Sequence, residues 1–112
     1  MPPRCLKDSP EPWTTCRFNF KMISFLHEQV SPDLKVIVRG INSVDDALKA
    51  AESGASAVWI SEKTHLRSAP SPISITYNIS QTLKQLHPKC EVIMQGGVRR
   101  GVDALKAVAM GA

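Results

Sequence analysis

Long hydrophobic runs, paired cysteines and clustered aromatic residues are all missing from this sequence. No apolar stretch is long enough to cross a bilayer, and the first residues lack the apolar centre of a secretory signal. We therefore expect neither a membrane span nor secretion. The three cysteines form no CxxC pair and no Cys/His cluster with zinc spacing, which argues against a zinc site. Cysteine usage of this kind fits a reduced, intracellular setting.

Aromatic residues make up only 5% of the chain, and the formal net charge is +4. The basic residues are scattered and do not alternate with aromatic ones, as they do on many nucleic-acid-binding surfaces. We therefore expect a solvated surface and no nucleic-acid partner. The 112 residues, 43% of them hydrophobic, suffice for one small globular domain with a core.

The chain divides into a proline-rich start and a patterned remainder. Residues 1–17 contain four prolines among mixed charges, which predicts an irregular N-terminal segment. Residues 18–112 form the predicted domain. It opens with a helix over 18–30, where Phe18, Met22, Phe25 and Val30 fall near one face.

Short β-branched runs then alternate with amphipathic segments. Asn42 or Ser43 can cap the first of these helices, and residues 62–71 read as a polar loop. The alternation is typical of a parallel sheet with crossover helices. The predicted strands are 35–41, 57–60 and 91–94, and the predicted helices are 44–52, 73–86 and 103–110.

Two stretches of the chain echo each other. VRGINSVDDALKAAESGA and QGGVRRGVDALKAVAMGA share DALKA and a terminal GA, and their alignment places Gly40 on Gly97. Amphipathic βα units can converge on such helices independently. A glycine at both strand ends nevertheless favours a piece of a (β/α) barrel over half of a Rossmann fold, without deciding between them.

The stretch QGGVRRG, residues 95–101, lies between a predicted strand and a predicted helix. Glycines allow the backbone to approach a ligand closely, and N–H groups at a helix N-terminus attract anions. Arg99 or Arg100 can add a bidentate phosphate contact. The residues alone predict either a phosphate site or a tight turn with two solvated arginines.

From about Leu34 to Ala112 the chain resembles the FMN-dependent α-hydroxy acid oxidase and dehydrogenase family, which includes glycolate oxidase. VIVRGINSVDDALKAAESGA is similar to the family's strand-five unit, which usually ends in Lys-Gly-Ile. VWIS, with Ala69-Pro70 and Ile73, is similar to the strand-six unit SNHGGRQLDGAPATI. VIMQGGVRRGVDALKAVAMGA is similar to the strand-seven unit DGGVRRGTDVLKALALGA. The resemblance implies an α/β fold, a partial TIM (β/α)8 barrel with about three parallel βα units preceded by a helix.

The resemblance also implies a function. The family holds FMN at the C-terminal ends of the barrel strands and oxidises 2-hydroxy acids to 2-oxo acids, passing two electrons to the flavin. FMN is therefore the expected cofactor, and a small 2-hydroxy acid is the expected substrate. Some members are peroxisomal and others are not, so a peroxisomal or a cytoplasmic location is expected.

The family's flavin contacts carry over residue by residue, with two departures. Arg39 stands where the family has Lys, and Gln95 stands where it has Asp. Arg99 matches the residue that meets the FMN phosphate. The full set of cofactor-binding candidates is Arg39, Ser61, Gln95, Gly96, Gly97, Val98 and Arg99.

The catalytic loop departs further. The family's catalytic His corresponds to Lys63, and the stretch from Ser61 to Pro70 is two residues shorter than its counterpart. His65 is the local candidate for the base and Arg67 for the group that holds the substrate carboxylate. Two functions stay open: 2-hydroxy acid oxidation, or a non-catalytic FMN- or phosphate-binding remnant or interaction module.

The sequence predicts too few strands to close a barrel. A complete TIM barrel takes about 200–250 residues and eight strands, so about three units leave an open sheet with exposed edges. We favour an incomplete gene model or splice fragment over a rearranged open-sheet domain. Assembly with a second copy or with a full-length relative is the other alternative. In the family the phosphate site is completed at strand eight, which this sequence does not reach.

Overall fold

The computed structural model describes residues 19–61 and 71–112, and its strands alternate with its helices along the chain. The elements are α1 (Lys21–Gln29), β1 (Ile37–Ile41), α2 (Val44–Glu52), β2 (Ala57–Ile60), α3 (Pro72–Leu86), β3 (Glu91–Met94) and α4 (Gly101–Ala109). The predicted bounds of α2, β2 and β3 agree with the structure. The polar loop predicted at 62–71 lies almost wholly outside the described residues.

The three described strands form one parallel sheet in the order β1-β2-β3. In its register Val38 lies beside Val58, and Arg39 lies beside Trp59. Because all strands run the same way, their C-terminal ends meet at one edge, called here the carboxyl edge. The sheet is open, with β1 and β3 as edge strands among the described residues, and the predicted partial α/β fold is confirmed.

Helices α2 and α3 cover one face of this sheet. Their buried side chains meet Val58 and Ile60 of the central strand, and Ile79 and Leu83 of α3 are also fully buried. Along β1, Val38 is buried toward this core, whereas Ile37 and Arg39 are exposed. The alternation follows the two-residue period of a strand. It places Ile37, Arg39 and Trp59 on the opposite face of the sheet.

Helices α1 and α4 bury fewer side chains than α2 and α3 do. Helix α1 buries Ile23, and the hydroxyl of Ser24 donates to the carbonyl of Ser53 at 3.0 Å. Helix α4 buries only Ala107, while its larger apolar side chains are exposed. Just beyond α4, a side chain at Gly111 would collide with Ser80 Oγ, so the chain passes α3 closely at that point.

Two helices begin earlier than the sequence predicts. Helix α4 begins at Gly101 rather than at Asp103, because the Asp103 carboxylate accepts N–H groups from the turn before it. Helix α3 begins at Pro72, and its β-branched residues do not disrupt it. Thr76 and Ile79 are fully buried, so packing outweighs their weaker helix propensity.

Helix α1 and strand β1 are shorter than predicted. Helix α1 spans Lys21–Gln29 instead of 18–30, and the Asn19 side chain accepts the N–H of Lys21 at its start. Residue 18 lies outside the described residues. Strand β1 begins at Ile37 rather than at residue 35, after a turn in which the N–H of Leu34 donates to the carbonyl of Ser31.

Of the two residues predicted to cap α2, the structure selects Ser43. Its Oγ accepts the N–H of Asp46 at 3.2 Å. Asn42 instead donates to the carbonyl of Gly40 at 2.8 Å. Ser43→Ala is therefore expected to lower the free energy of unfolding by about 1 kcal/mol, measured by urea denaturation followed by circular dichroism.

Ser71→Ala is the matched control for the Ser43 prediction. Ser71 also precedes a helix, but its side chain makes no capping hydrogen bond. Its replacement should change the midpoint of urea denaturation little. Equal losses from the two substitutions would show that the Ser43 hydroxyl contributes nothing specific to α2.

Candidate functional site

The stretch QGGVRRG turns sharply at the end of β3. The N–H of Gln95 donates to the carbonyl of Ile60 at 2.8 Å, which extends the β2–β3 pairing by one residue. The backbone then enters the left-handed region, with φ +111° at Gly96 and +72° at Gly97. Side chains strain that conformation, so two successive glycines are required here.

The start of α4 offers fewer free donors than the sequence suggests. Asp103 Oδ2 accepts the N–H of Arg99 at 3.2 Å and the N–H of Arg100 at 3.1 Å. An arginine side chain has no acceptor, so the Arg100 side chain cannot cap α4. The cap consists of the two backbone N–H groups that donate to the Asp103 carboxylate. The sequence analysis missed Asp103, although an aspartate in the first turn of a predicted helix is the signal for such a cap.

Three N–H groups and one guanidinium in this loop remain available. In the described part of the chain, no hydrogen bond occupies the N–H of Gly96, Gly97 or Val98. The Arg99 side chain is exposed and likewise has no partner there. These donors are the ones that the turn can present to an anion.

Arg39 reaches the same place from β1. The strand pairing is irregular between Arg39 and Ile41, and Gly40 has φ +88°. Arg39 Nη2 donates to Gln95 Oε1 at 3.2 Å, and the guanidinium carbon lies 5.5 Å from the centre of the Trp59 ring. Bulges of this kind commonly redirect side chains near functional sites.

Ser61 directly follows the central strand, whose neighbours carry Arg39 and Gln95. The structure therefore brings all the cofactor-binding candidates to the carboxyl edge. In parallel barrels, ligands typically bind at this edge. Their roles stay predictions. Trp59 was missed by the sequence analysis, although its position two residues before Ser61 places both residues on the same face.

A cavity of about 320 Å³ lies beside the glycine turn. It separates the turn from the start of α3, and Asp103 and Lys106 of α4 contribute its charged groups. Two larger cavities, of about 380 and 490 Å³, share Pro88 and Cys90 just before β3, at the opposite end of the strand. They contain none of the candidate residues, and ligands of parallel barrels bind at the other end.

His65 and Arg67, the candidates for catalysis and substrate binding, lie outside the described residues. Their roles as base and carboxylate-binding group stay predictions. Cys90 is half-buried, and burial, with a smaller contribution from the Glu91 carboxylate, raises the pKa of its thiol. A raised pKa keeps the thiol protonated and unreactive at neutral pH.

No helix in the described ranges has both the length and the hydrophobicity of a membrane span.

The sequence profile of the FMN-dependent dehydrogenase family matches residues 11–112. The chain belongs to this family. FMN as the family's cofactor is thereby confirmed. The match begins inside the N-terminal segment, and the predicted boundary after residue 17 stays a prediction.

Members of the family that resemble this chain act on several hydroxy acids. A peroxisomal (S)-2-hydroxyacid oxidase of Arabidopsis thaliana is 35% identical over 95 residues, which cover 85% of this chain and 25% of that one. The cytochrome-linked L-lactate dehydrogenase of Saccharomyces cerevisiae is 39% identical over 83 residues, covering 70% and 14%. The chain thus spans a quarter or less of the length of these relatives.

Solved structures from the family share the fold. A flavocytochrome b2 variant with benzoylformate superposes with a TM-score of 0.74 at 36% identity, over 84% of this chain and 24% of that one. A mandelate oxidase superposes with a TM-score of 0.74 at 30% identity, over 87% and 27%. The strands and helices described here therefore correspond to part of a TIM-barrel flavoenzyme.

Proposed function

We propose that this chain binds FMN at its carboxyl edge and serves the oxidation of a small 2-hydroxy acid to the 2-oxo acid. The observation that carries the proposal is the left-handed turn at Gly96 and Gly97, placed directly after β3 beside Arg39 of β1. Family membership supplies the cofactor, and the relatives' names supply the class of substrate.

The side chains and N–H groups at this edge suit FMN chemically. The phosphate would be held by the N–H groups of Gly96 and Gly97 and by the Arg99 guanidinium, all of them donors to an anion. Arg39, Ser61 and Gln95 would face the flavin ring, where carbonyl oxygens and ring nitrogens accept hydrogen bonds. When bound, FMN supplies an acceptor for the two electrons that leave the hydroxy acid.

His65 and Arg67 complete the proposal on the substrate side. Oxidation removes two protons and two electrons from the carbinol group. His65 would take one proton as the base, and the other would pass to bound FMN together with the two electrons. Arg67 would hold the carboxylate through a charge-assisted pair. Both assignments follow the family resemblance and await a test by substitution.

The proposal extends to location and assembly. Two of the relatives from Arabidopsis thaliana are named as peroxisomal, which supports an intracellular protein of the peroxisome or the cytoplasm. Among the described residues β1 and β3 are the edge strands of the sheet, which supports association with a second copy or with a full-length relative.

A second candidate function is non-catalytic binding of FMN or phosphate. It is favoured by the changes from the family pattern at Arg39 and Gln95, two residues that contact each other. It is also favoured by the shorter loop that carries His65. A chain of this kind would retain the phosphate turn without turning over a substrate.

The two candidates predict different spectra. We expect the purified chain to retain FMN and its flavin absorbance near neutral pH. Under anaerobic conditions, glycolate or L-lactate should then bleach that absorbance if the oxidation occurs. Retained FMN without bleaching would leave only the non-catalytic function. Failure to retain FMN would contradict the oxidation and would leave phosphate as the only ligand of the second candidate.

A further inference from the structure

Arg39, Trp59 and Gln95 form one cluster, called here the arginine cluster. Arg39 and Trp59 are paired across β1 and β2, and the guanidinium lies over the indole at 5.5 Å. Gln95, beyond β3, accepts a hydrogen bond from Nη2 at 3.2 Å. A guanidinium held by a ring on one side and an amide on the other keeps one orientation and loses less entropy when it binds a ligand.

The cluster carries a positive charge without a paired carboxylate. Among residues 19–61 and 71–112, Arg39 forms no ion pair, and its hydrogen-bond partner Gln95 is a neutral amide. The family pattern has Lys and Asp at these two positions, one cation and one anion. This chain keeps the cation and replaces the anion by an amide.

The cluster also contains a donor without an acceptor. Trp59 Nε1 is buried, and none of the described residues accepts its hydrogen. Most buried polar groups in proteins are hydrogen-bonded, so an unsatisfied one calls for a functional explanation. Arg39 adds the N–H groups that Gln95 does not use. The exposed Arg39 guanidinium therefore offers N–H donors and positive charge, and a ligand that suits it brings acceptor oxygens and negative charge.

We propose that the arginine cluster is an oxyanion site that binds a carboxylate or a phosphate group without any need for FMN. Gln95 sets its affinity, because a carboxylate at that position would neutralise Arg39 and compete with the ligand. Trp59 positions the guanidinium. The site overlaps the region proposed for FMN, but its binding of small anions does not depend on the proposed function.

The test follows Trp59 fluorescence in the full chain without FMN. The sequence has two tryptophans, so Trp13→Phe leaves Trp59 as the only indole. Sodium acetate and sodium phosphate are titrated separately, with chloride holding the ionic strength constant. A saturable change in emission is expected, because an anion on Arg39 alters the contact between the guanidinium and the ring. Saturation by acetate assigns the site to carboxylates, and saturation by phosphate assigns it to phosphates.

Gln95→Glu is the deciding variant, and Gln85→Glu is its matched control. The first places a carboxylate within reach of Arg39 and should weaken anion binding by about tenfold or more. The second makes the same change of charge at an exposed position of α3 and should leave the affinity unchanged. Circular dichroism checks that both variants fold. The proposal fails if neither anion saturates the signal, or if the two glutamate variants bind alike.

Discussion

Arg99→Ala is expected to weaken the binding of FMN by about 10- to 100-fold. Arg99 is exposed two residues after Gly97, and no described residue accepts the N–H of Gly96 or Gly97. A charge-assisted hydrogen bond to phosphate contributes about 1.5–3 kcal/mol, which corresponds to a loss of that size. Titration of FMN with protein, followed by flavin fluorescence, measures the change.

Arg100→Ala and riboflavin are the controls for this result. Arg100 is also exposed, and the part of it that caps α4 is its backbone N–H, which alanine retains. Its removal should cost much less affinity. Riboflavin lacks the phosphate, so its weaker binding should be the same in the original chain and in Arg99→Ala. Equal losses from the two arginine substitutions would indicate a general effect of charge and would remove the assigned role of Arg99.

Leu83→Ala is expected to lower the free energy of unfolding by about 2–5 kcal/mol. Leu83 is 1% exposed and lies in the core between α3 and the sheet. The loss combines the transfer of buried methyl groups with the cavity left behind. Small domains are stable by only about 5–15 kcal/mol in total, so this one change removes a large share of the stability. Urea denaturation followed by circular dichroism measures it.

Leu86→Ala provides a control in the same helix. Leu86 is 60% exposed, so the same chemical change removes little buried surface. It should alter the free energy of unfolding by less than about 0.5 kcal/mol. Similar losses at both positions would mean that α3 does not rest on the sheet through Leu83.

The strands and most helices could be predicted because their signals are local. The short β-branched runs at 57–60 and 91–94 match buried parallel strands, and Gly54 marks the stop after α2. The start of α4 was placed too late because Asp103 looks like a first helical residue. Its side chain instead reaches back to the preceding turn, which a propensity scale does not register.

The candidate site was predictable in position but not in its contacts. Strand ends in a parallel sheet must meet, so Arg39, Ser61 and Gln95 could be placed together from sequence. Arg39 of β1 and Gln95 after β3 lie on either side of the central strand β2. Their contact reaches across β2, next to the irregular pairing between Arg39 and Ile41. The ring of Trp59 beneath Arg39 depends on the register of β1 and β2. Neither contact can be predicted from the spacing of residues along the chain.

Helix α4 buries little surface, and this links the glycine turn, the proposed phosphate site, to local unfolding. Only Ala107 is buried along this helix, and the close passage of Gly111 by Ser80 fixes its far end. Segments with few buried contacts open at lower free energy than the core and exchange their amide hydrogens through that opening. A phosphate bound at the proposed site would oppose the opening. Part of its binding free energy would then be used to dock the helix, and we expect the ligand to raise the amide protection of α4.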